Sequence, residues 1–470
     1  MTPAGLPRGD AALRRMLEAG QNDSALIRFD DRKAKLPSDE LLRLLYQGMV
    51  AYHAMQYDSS AKLLDRAGEL IDERDVLWLS REAAALLSND RALPWQPGRT
   101  ERLMIPYYAA LSYLRTDNVG EAAVEARRLS LALQNTEGKL EGAERRLHGM
   151  LRFFAGSVLE ANGDANDAAV AYRNAQELLG DSTLLWSASA DSGDVVVLVE
   201  EGFVAHKVEQ SLTIVLADYE ADGLRDDDEK RREEAAGAVA ARALANALRP
   251  ASEYAEGPRR PRQHWYVPAP TRPHNSTSQT CTQESKSSAD TTSEPKSSKE
   301  CKDDDDDFYL LRLAWPGYHS VRRPAHSARV LIGDSTVVAI PWFVSVSDAV
   351  VGDFERQRAK ILARTVARGA AKLALTRSAE KSVGKKNEDW GKVLGTIANV
   401  GTAVLEQADT RSWTLLPGGV GLVKLRLPAG VQHMRLEVGV PSGPTSARIE
   451  LGEVSVRAGE TRFISARYFR

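Results

Sequence analysis

The stretch "FFAGSVLEANGDANDAAVAYRNAQELLG" (153–180) predicts two helices joined by a tight turn. Gly156 takes a small position on the first helix, and residues 162–164 (Asn-Gly-Asp) make the turn. Tyr172 and Ala175 then fall at packing positions on the second helix. Because small residues at fixed offsets let helices nest, each such hairpin leaves an apolar face for a neighbour to cover.

Two other stretches carry related offsets. In "LLRLLYQGMVAYHAMQYDSSAKLLDRAGELI" (41–71), Leu64 and Ala67 follow Gly48 at sixteen and nineteen residues. "YYAALSYLRTDNVGEAAVEARRLSLAL" (107–133) is a looser copy. The offsets resemble those of tetratricopeptide repeats, although the copies are not spaced at the regular interval of about 34 residues. A plain helical bundle is the alternative.

The hydrophobic period changes after the helices. "DVVVLVEEGFVAHKVEQSLTIVLA" (194–217) is β-branched and apolar, and predicts a β-hairpin that turns at Glu201-Gly202. Strand-like runs return at 308–315, 327–333 and 336–346, where Pro341 indicates an edge or a bulge. We expect the hairpin to pair with these later strands.

Two helices and a final set of strands follow. Residues 347–378 and 388–409 predict a pair of helices, the first of them basic and amphipathic. From residue 412 to residue 469, apolar and polar side chains alternate between short Gly- and Pro-containing turns. That pattern is typical of a β-meander or a small sandwich.

Residues 249–307 have almost nothing to bury, which predicts a disordered insert. Its five consecutive aspartates (303–307) lack the spacing of a calcium loop, so we interpret them as a solvated charge run. Cys281 and Cys301 lie in the same insert and are either free thiols or, in an oxidising compartment, one local disulfide.

The predicted fold class is therefore α+β: tetratricopeptide-like helical repeats, then a β-rich, sandwich-like region that contains a pair of helices. The predicted segments are an N-terminal segment (1–36), the helical domain (37–185), a β-hairpin and helix (186–248), the disordered insert (249–307), strands with the helix pair (308–408) and a C-terminal β-meander (409–470).

Composition and motifs exclude several kinds of site. The 470 residues are 43% hydrophobic and 27% charged, with a net charge of -3, and no stretch is dominated by Lys and Arg, so we expect no nucleic-acid binding. The eight histidines have no metal-ligand spacing, and there is no Gly-x-Ser-x-Gly elbow. We predict no catalytic, cofactor or metal residues.

Four stretches together resemble one protein family. They are "ERLMIPYYAALSYL...EAAVEARRL" (101–129), "VLVEEGFVAHKVE" (197–209), the Arg-bearing helix and "ADTRSWTLLPGGVGLVKLRLPAG" (408–430). The chain is similar to a family of bacterial envelope proteins of unknown function, typically lipoprotein-like chains with tetratricopeptide-like repeats before a β-rich region. The resemblance implies a periplasmic or outer-membrane location, and a Cys281–Cys301 disulfide if the chain is exported.

The first 17 residues, "MTPAGLPRGDAALRRML", lack the apolar core of a secretion signal. With this start we expect a cytoplasmic protein. Membrane association is expected only if a lipoprotein signal lies upstream.

The sharpest pieces of the resemblance supply the structural or interaction candidates: Glu201, Gly202, Lys207, Asp409, Arg411, Trp413 and Pro417. The favoured interpretation of 409–417 is a joint that locks the helices to the β-region. In it Trp413 anchors the core, and Arg411 pairs with Asp409 or a neighbouring carboxylate.

Three functions remain open from the sequence. The first is a non-enzymatic interaction or scaffold protein that binds a protein partner through the groove of the repeats. The second is an enzyme with an unrecognised site at Glu201, Lys207, Asp409 and Arg411. The third is attachment to a membrane surface through residues 347–408.

Overall fold

The computed structural model describes most of the chain in thirteen stretches. They are residues 5–31, 36–81, 93–135, 140–180, 191–216, 218–223, 228–247, 264–267, 309–319, 327–333, 336–384, 407–439 and 445–469. They belong to two compact units. The larger unit contains Met1–Gln210, Trp315–Ile361 and Gln407–Arg470, and the smaller unit contains Ser211–Ala314 and Leu362–Glu406.

Eight helices occupy the described part of the N-terminal region. They are α1 (Arg8–Glu18), α2 (Asn22–Ile27), α3 (Glu40–His53), α4 (Tyr57–Arg81), α5 (Arg99–Leu114), α6 (Val119–Gln134), α7 (Gly142–Ala161) and α8 (Ala165–Leu179). Successive pairs from α3 to α8 form three helical hairpins, and each hairpin also packs on the next. The prediction that helices occupy the N-terminal region is therefore confirmed.

The three hairpins turn in the same way. Met55, Asp117 and Gly163 each have a positive φ, of 59°, 56° and 87°. In each turn this residue donates to a carbonyl three residues back, and the following residue donates to a carbonyl five residues back. That is the Schellman arrangement, which satisfies carbonyls at the end of a helix.

A small residue lies seven positions before each of these turn residues. A Cβ on Gly48 would come within 3.0 Å of Leu64, and one on Gly156 within 2.9 Å of Tyr172. The middle hairpin has Ala110 and Ala126, both fully buried, at the same separation of sixteen residues. The two helices of each hairpin therefore pack closely where the first helix has a small residue.

We predict that Met55→Gly stabilises the protein. Met55 is 72% exposed, so little packing is lost, and glycine removes a left-handed strain of about 1 kcal/mol. Urea unfolding should show a gain of about that size. Gly163→Ala is the matched opposite change, since no atom lies within 4 Å of its Cβ position, and should lose about 1 kcal/mol. Equal stability of all three proteins would contradict the strain argument.

A carboxyl group is buried between the helical hairpins. Glu125 is 4% exposed and accepts from Arg128 at 2.7 Å. Burial raises the pKa of Glu125 to about 7, against the effect of Arg128, and Asp65 adds to the rise. The folded protein therefore holds a proton that the unfolded chain, with a pKa near 4.5, releases.

We predict that the free energy of unfolding falls as the pH rises from about 4.5 to about 7, where Glu125 ionises. Glu125→Gln should flatten this part of the profile and be about 2 kcal/mol more stable than the wild type at pH 8. Urea unfolding at pH 5 and pH 8 measures both. Glu18→Gln, at an exposed position of α1, is the control and should keep the wild-type slope. The same slope in the Glu125 variant would refute the assignment.

The described residues of the larger unit also form two four-stranded sheets. Its strands are β1 (Ser192–Glu201), β5 (Ser327–Ile332), β6 (Thr336–Ala339), β7 (Trp342–Ser345), β8 (Gly419–Pro428), β9 (Gly430–Gly439), β10 (Thr445–Val456) and β11 (Thr461–Tyr468). The first sheet has the order β11-β1-β8-β7, and the second has the order β10-β9-β5-β6. Only the β1–β11 pair of the first sheet is parallel.

Strand β1 divides two hydrophobic cores. Val196 and Leu198 belong to the core shared with the helices, whereas Val195, Val197 and Val199 belong to the core shared with the second sheet. Successive side chains of a strand point to opposite faces, and both faces here are covered. The larger unit thus has three layers: helices, first sheet and second sheet.

The smaller unit contains most of the remaining elements. They are β3 (His264–Val267), α9 (Asp218–Gly223) and α10 (Glu229–Ala247), together with parts of β2 (His206–Leu216), β4 (Tyr309–His319) and α11 (Val346–Gly384). A three-stranded sheet has the order β3-β2-β4, with β3 parallel to β2. Arg242 of α10 donates to the Val215 carbonyl of β2 and pairs with Glu220.

The predicted hairpin at 194–217 is wrong. β1 pairs with β11 and β8, whereas β2 lies in the three-stranded sheet between β3 and β4. Gly202 does not close a two-strand turn; its N–H donates to the Tyr468 carbonyl of β11. A strand that is buried on both faces needs a partner on each edge, and later strands supply both.

The C-terminal strands were expected to form a meander or a small sandwich, and of these the meander over 409–470 is wrong. β8 and β11 join the first sheet while β9 and β10 join the second, so the segment is part of a sandwich. Likewise, the strand expected over 336–346 is two strands, β6 and β7, in different sheets, with Pro341 at the corner. The coarse prediction holds: helices occupy the N-terminal region and sheets the C-terminal half.

The insert predicted over 249–307 is contradicted at four residues, because 264–267 form β3. Its other residues, including Cys281, Cys301 and the aspartates at 303–307, lie outside the described part of the chain. The first helix of the predicted pair is α11, and the second, at 388–409, falls almost wholly outside the described residues.

Candidate functional site

Residues 408–418, the joint segment, precede β8 as irregular backbone. Trp413 lies at its centre with no exposed surface. The Trp413 N–H donates to Glu101 Oε1 of α5 at 2.7 Å, and the Trp413 ring meets Tyr108 edge to face. The second oxygen of Glu101 accepts the Gly98 N–H at 2.7 Å, so one carboxylate caps α5 and holds the segment.

Next to Trp413, a buried hydroxyl cluster ties the segment to α1 and α3. Tyr46 Oη lies 2.6 Å from Asp10 Oδ2 and 2.6 Å from Thr414 Oγ1. The Thr414 hydroxyl also donates to Asp10. Burial raises the pKa of Asp10, although the Tyr46 and Thr414 hydroxyls oppose the rise. The cluster joins three elements that lie far apart in the sequence.

Buried Arg14 and half-buried Arg467 each donate to one backbone carbonyl of the segment and to one in the stretch that follows β1. Arg14 donates to the carbonyls of Thr414 at 2.6 Å and Val204 at 2.9 Å. Arg467 donates to the carbonyls of Gly202 at 2.6 Å and Leu415 at 2.9 Å. Buried carbonyls outside regular structure need such donors, and a guanidinium can serve several at once.

The structure places Asp409 and Arg411 in an ion-pair network. Arg411 donates two hydrogen bonds to Asp409, each at 2.8 Å, and a third to the Leu93 carbonyl. Arg411 Nη1 also lies 3.8 Å from Asp39, which caps α3 and pairs with Arg74. The expected pairing of Arg411 with Asp409 is confirmed. Arg411 also connects the joint segment to the Leu93 carbonyl and to Asp39.

The remaining sequence candidates lie around the same joint. The Glu201 carbonyl accepts the Gly418 N–H at 2.7 Å, and Gly202 has a φ of 47°. Pro417 is buried. Lys207 lowers the pKa of Glu101, but burial outweighs it and leaves that pKa raised. These contacts connect β1, the joint segment and β8.

The inner face of the helical hairpins is covered by the chain itself. Tyr52 of α3 bonds Ser465 of β11 at 2.7 Å, and the Tyr108 hydroxyl of α5 donates to Glu200 of β1 at 2.8 Å. Phe154 of α7 lies against Phe463 of β11. The first helices of the three hairpins, which we call the inner helices, therefore face the first sheet.

A polar cavity of about 900 Å³ opens elsewhere in the larger unit. It lies where the start of β1, the end of β8 and the β10–β11 turn meet the ends of α5 and α7. Its lining carries eight charged side chains: Arg115, Asp117, Glu160, Asp194, Arg426, Arg457, Glu460 and Arg462. Sequence reasoning identified none of them.

Beside the cavity, Lys424 is buried in an ion-pair network. Its side chain has no exposed surface and contacts Glu160 and, at 3.0 Å, Asp194. Arg426 Nε donates a hydrogen bond to the other carboxylate oxygen of Asp194, Oδ1, at 3.0 Å. The Tyr172 hydroxyl donates to Glu160. Although burial acts to raise the pKa of Asp194, Arg426 and Lys424 hold it below its usual value.

Comparison with family models, with curated proteins and with solved structures found no match to this chain. Within the described stretches, no helix is long and apolar enough to cross a membrane. The same stretches hold no group of three or more His, Cys, Asp or Glu side chains that could bind a metal ion.

The residues that sequence reasoning missed are mostly partners of residues that it found. Arg14, Tyr46 and Glu101 all contact residues 413–414, but they come from three helices. The one local signal was Glu101, three residues after Gly98 at a helix start, where a carboxylate typically caps. Tyr46 and Arg14 look like ordinary helical residues until the fold brings them to Thr414.

We predict that Trp413→Ala lowers the free energy of unfolding by about 4 kcal/mol, because it removes a buried indole from the joint. Trp413→Phe should cost clearly less, because the indole N–H has no hydrogen-bond partner among the described residues. Urea unfolding followed by circular dichroism measures both changes. An alanine variant as stable as the wild type would contradict the anchoring role.

Proposed function

We propose that this chain is a non-enzymatic protein-interaction protein of the bacterial cell envelope. It binds a protein partner through its tetratricopeptide-like helical hairpins. The envelope assignment rests on the resemblance of residues 101–129, 197–209 and 408–430 to bacterial envelope proteins. The observation that supports binding by the helices is the arrangement of three similarly turned hairpins.

The partner surface that we propose is the outer one. Because the inner helices pack on the first sheet, a partner meets the second helix of each hairpin, α4, α6 or α8. On α6, Leu131 is 59% exposed and Val124 is 41% exposed. They are seven residues apart, which places them on one face of the helix. Val170 of α8 is 43% exposed.

Charge accompanies these apolar side chains. Arg127 and Arg128 lie between Val124 and Leu131 on α6. Arg127 pairs with Asp164 at 2.6 Å, which links α6 to the start of α8. Arg128 pairs with Glu125 at 2.7 Å, so both arginines are already matched by acids of the chain. An amphipathic segment with apolar anchors is the partner chemistry that suits such a surface.

We predict that Leu131→Glu reduces recovery of the partner at least tenfold, because it puts a charge in the apolar contact. The measurement is cross-linking and affinity purification of the full-length tagged protein from bacterial envelope extract, with quantification by mass spectrometry. Val431→Glu is the control, since Val431 is 65% exposed on β9, away from the helices. The control should recover the same proteins as the wild type.

Two outcomes would contradict the proposal. One is that Leu131→Glu and Val431→Glu recover the same proteins in the same amounts as the wild type. The other is that no protein is enriched above a tag-only control. Circular dichroism melting of each variant establishes that a lost interaction does not reflect unfolding.

A further inference from the structure

We propose that the polar cavity between the first sheet and the ends of α5 and α7 binds a small molecule that carries carboxylate or phosphate groups. Arg115 and Arg462 are the side chains that contact the anionic groups. This inference is independent of the protein-interaction proposal, because it concerns a different surface and a different class of ligand.

The acidic side chains of the cavity are largely neutralised by the protein. Glu160 contacts Lys424 and Tyr172, and Asp194 is held between Lys424 and Arg426. Glu460 pairs with Arg457 across the β10–β11 turn at 3.7 Å. Three of the four carboxylates that line the cavity are therefore already matched by cations.

Two of the four arginines are left with donor capacity. Arg115 and Arg462 form no ion pair with a carboxylate of the described stretches, and both are exposed. Asp117 is the remaining carboxylate of the lining. With Lys424 counted among the cations that neutralise Glu160 and Asp194, Arg115 and Arg462 face Asp117 alone, which leaves one net positive charge at the mouth of the cavity.

Arg115 is also held in place. Its guanidinium lies 5.1 Å from the centre of the Tyr57 ring, a cation–π contact that leaves the N–H groups in the guanidinium plane available. A planar guanidinium binds a carboxylate or a phosphate through two parallel hydrogen bonds. Arginine is better suited to this than lysine, which acts as a point charge.

Two features hold the residues at the floor of the cavity in place. Arg426 is fixed by two hydrogen bonds to Asp194, and Gly193 lies so close to the β10–β11 turn that a Cβ would come within 2.2 Å of the Arg457 carbonyl oxygen. The volume of about 900 Å³ lies within the usual range for small-molecule sites, about 300–1,000 Å³. The polar lining favours a multiply charged ligand over an apolar one.

The test is isothermal titration calorimetry on the whole chain, with citrate and, separately, with inorganic phosphate as the probe, at constant ionic strength. We expect the wild type to bind at least one probe with a submillimolar Kd. Arg115→Ala and Arg462→Ala should each weaken that binding about tenfold or more, and the double variant should abolish it. Citrate binding alone indicates a carboxylate ligand, and phosphate binding alone indicates a phosphate ligand.

Two controls separate a site from general charge attraction. Arg66→Ala removes an exposed arginine of α4 and should bind as the wild type does. Arg115→Lys keeps the charge but loses the bidentate geometry and should bind more weakly than the wild type. Circular dichroism melting establishes that each variant is folded.

The proposal is overturned by any of three results. They are no binding of either probe to the wild type at millimolar concentration, equal binding by the wild type and the double variant, and equal weakening by Arg66→Ala and Arg115→Ala.

Discussion

The larger unit depends on hydrogen bonds to a buried stretch of irregular backbone, residues 412–416. Backbone that enters neither a helix nor a sheet carries polar groups that must find partners when they leave water. Side chains from the helical layer and the first sheet supply them. Glu101 accepts the Trp413 N–H, Arg14 donates to the Thr414 carbonyl and Arg467 donates to the Leu415 carbonyl. The helices and the sheet are therefore joined by polar bonds as well as by apolar contact, and removing one partner leaves a buried group unsatisfied.

This joint explains where a ligand or partner can and cannot bind. The same packing that orders the segment covers the inner helices with the first sheet, so a partner cannot reach that face of the hairpins. Among the described residues, the second helices of the hairpins (α4, α6 and α8) and the cavity at the end of the sheet are open to other molecules. The cavity is lined by charged side chains of the β10–β11 turn and of the ends of α5 and α7, and the buried ion pairs of Lys424 lie beside it.

How much the sequence could predict is clearest in the hairpins and in β1. The turns at Gly163 and Met55 could be predicted because a Schellman turn involves residues within five positions of each other. The topology of β1 could not, because its partners, β8 and β11, lie more than two hundred residues away. A continuous run of valines indicates a strand covered on both faces, but it does not say which strands cover its edges. For the same reason the joint candidates Trp413 and Arg411 were found, whereas the charged cavity, assembled from five separate elements, was not.

The sequence by itself determined the local structure: the N-terminal helices, their tight turns, the small residues that let them nest, and the alternating strands of the C-terminal half. These follow from helical and strand periodicity and from the conformational freedom of glycine, which act over a few residues. Only the tertiary structure decided that β1 and β2 separate into different sheets and that Asp10, Tyr46 and Thr414 meet. It also decided that Arg115 and Arg462 line the same cavity with Asp117 as the one carboxylate not already paired. Those outcomes depend on which distant polar groups form hydrogen bonds or ion pairs with one another once water is excluded. The cost of desolvation depends on the whole folded arrangement, because every buried polar group needs a partner.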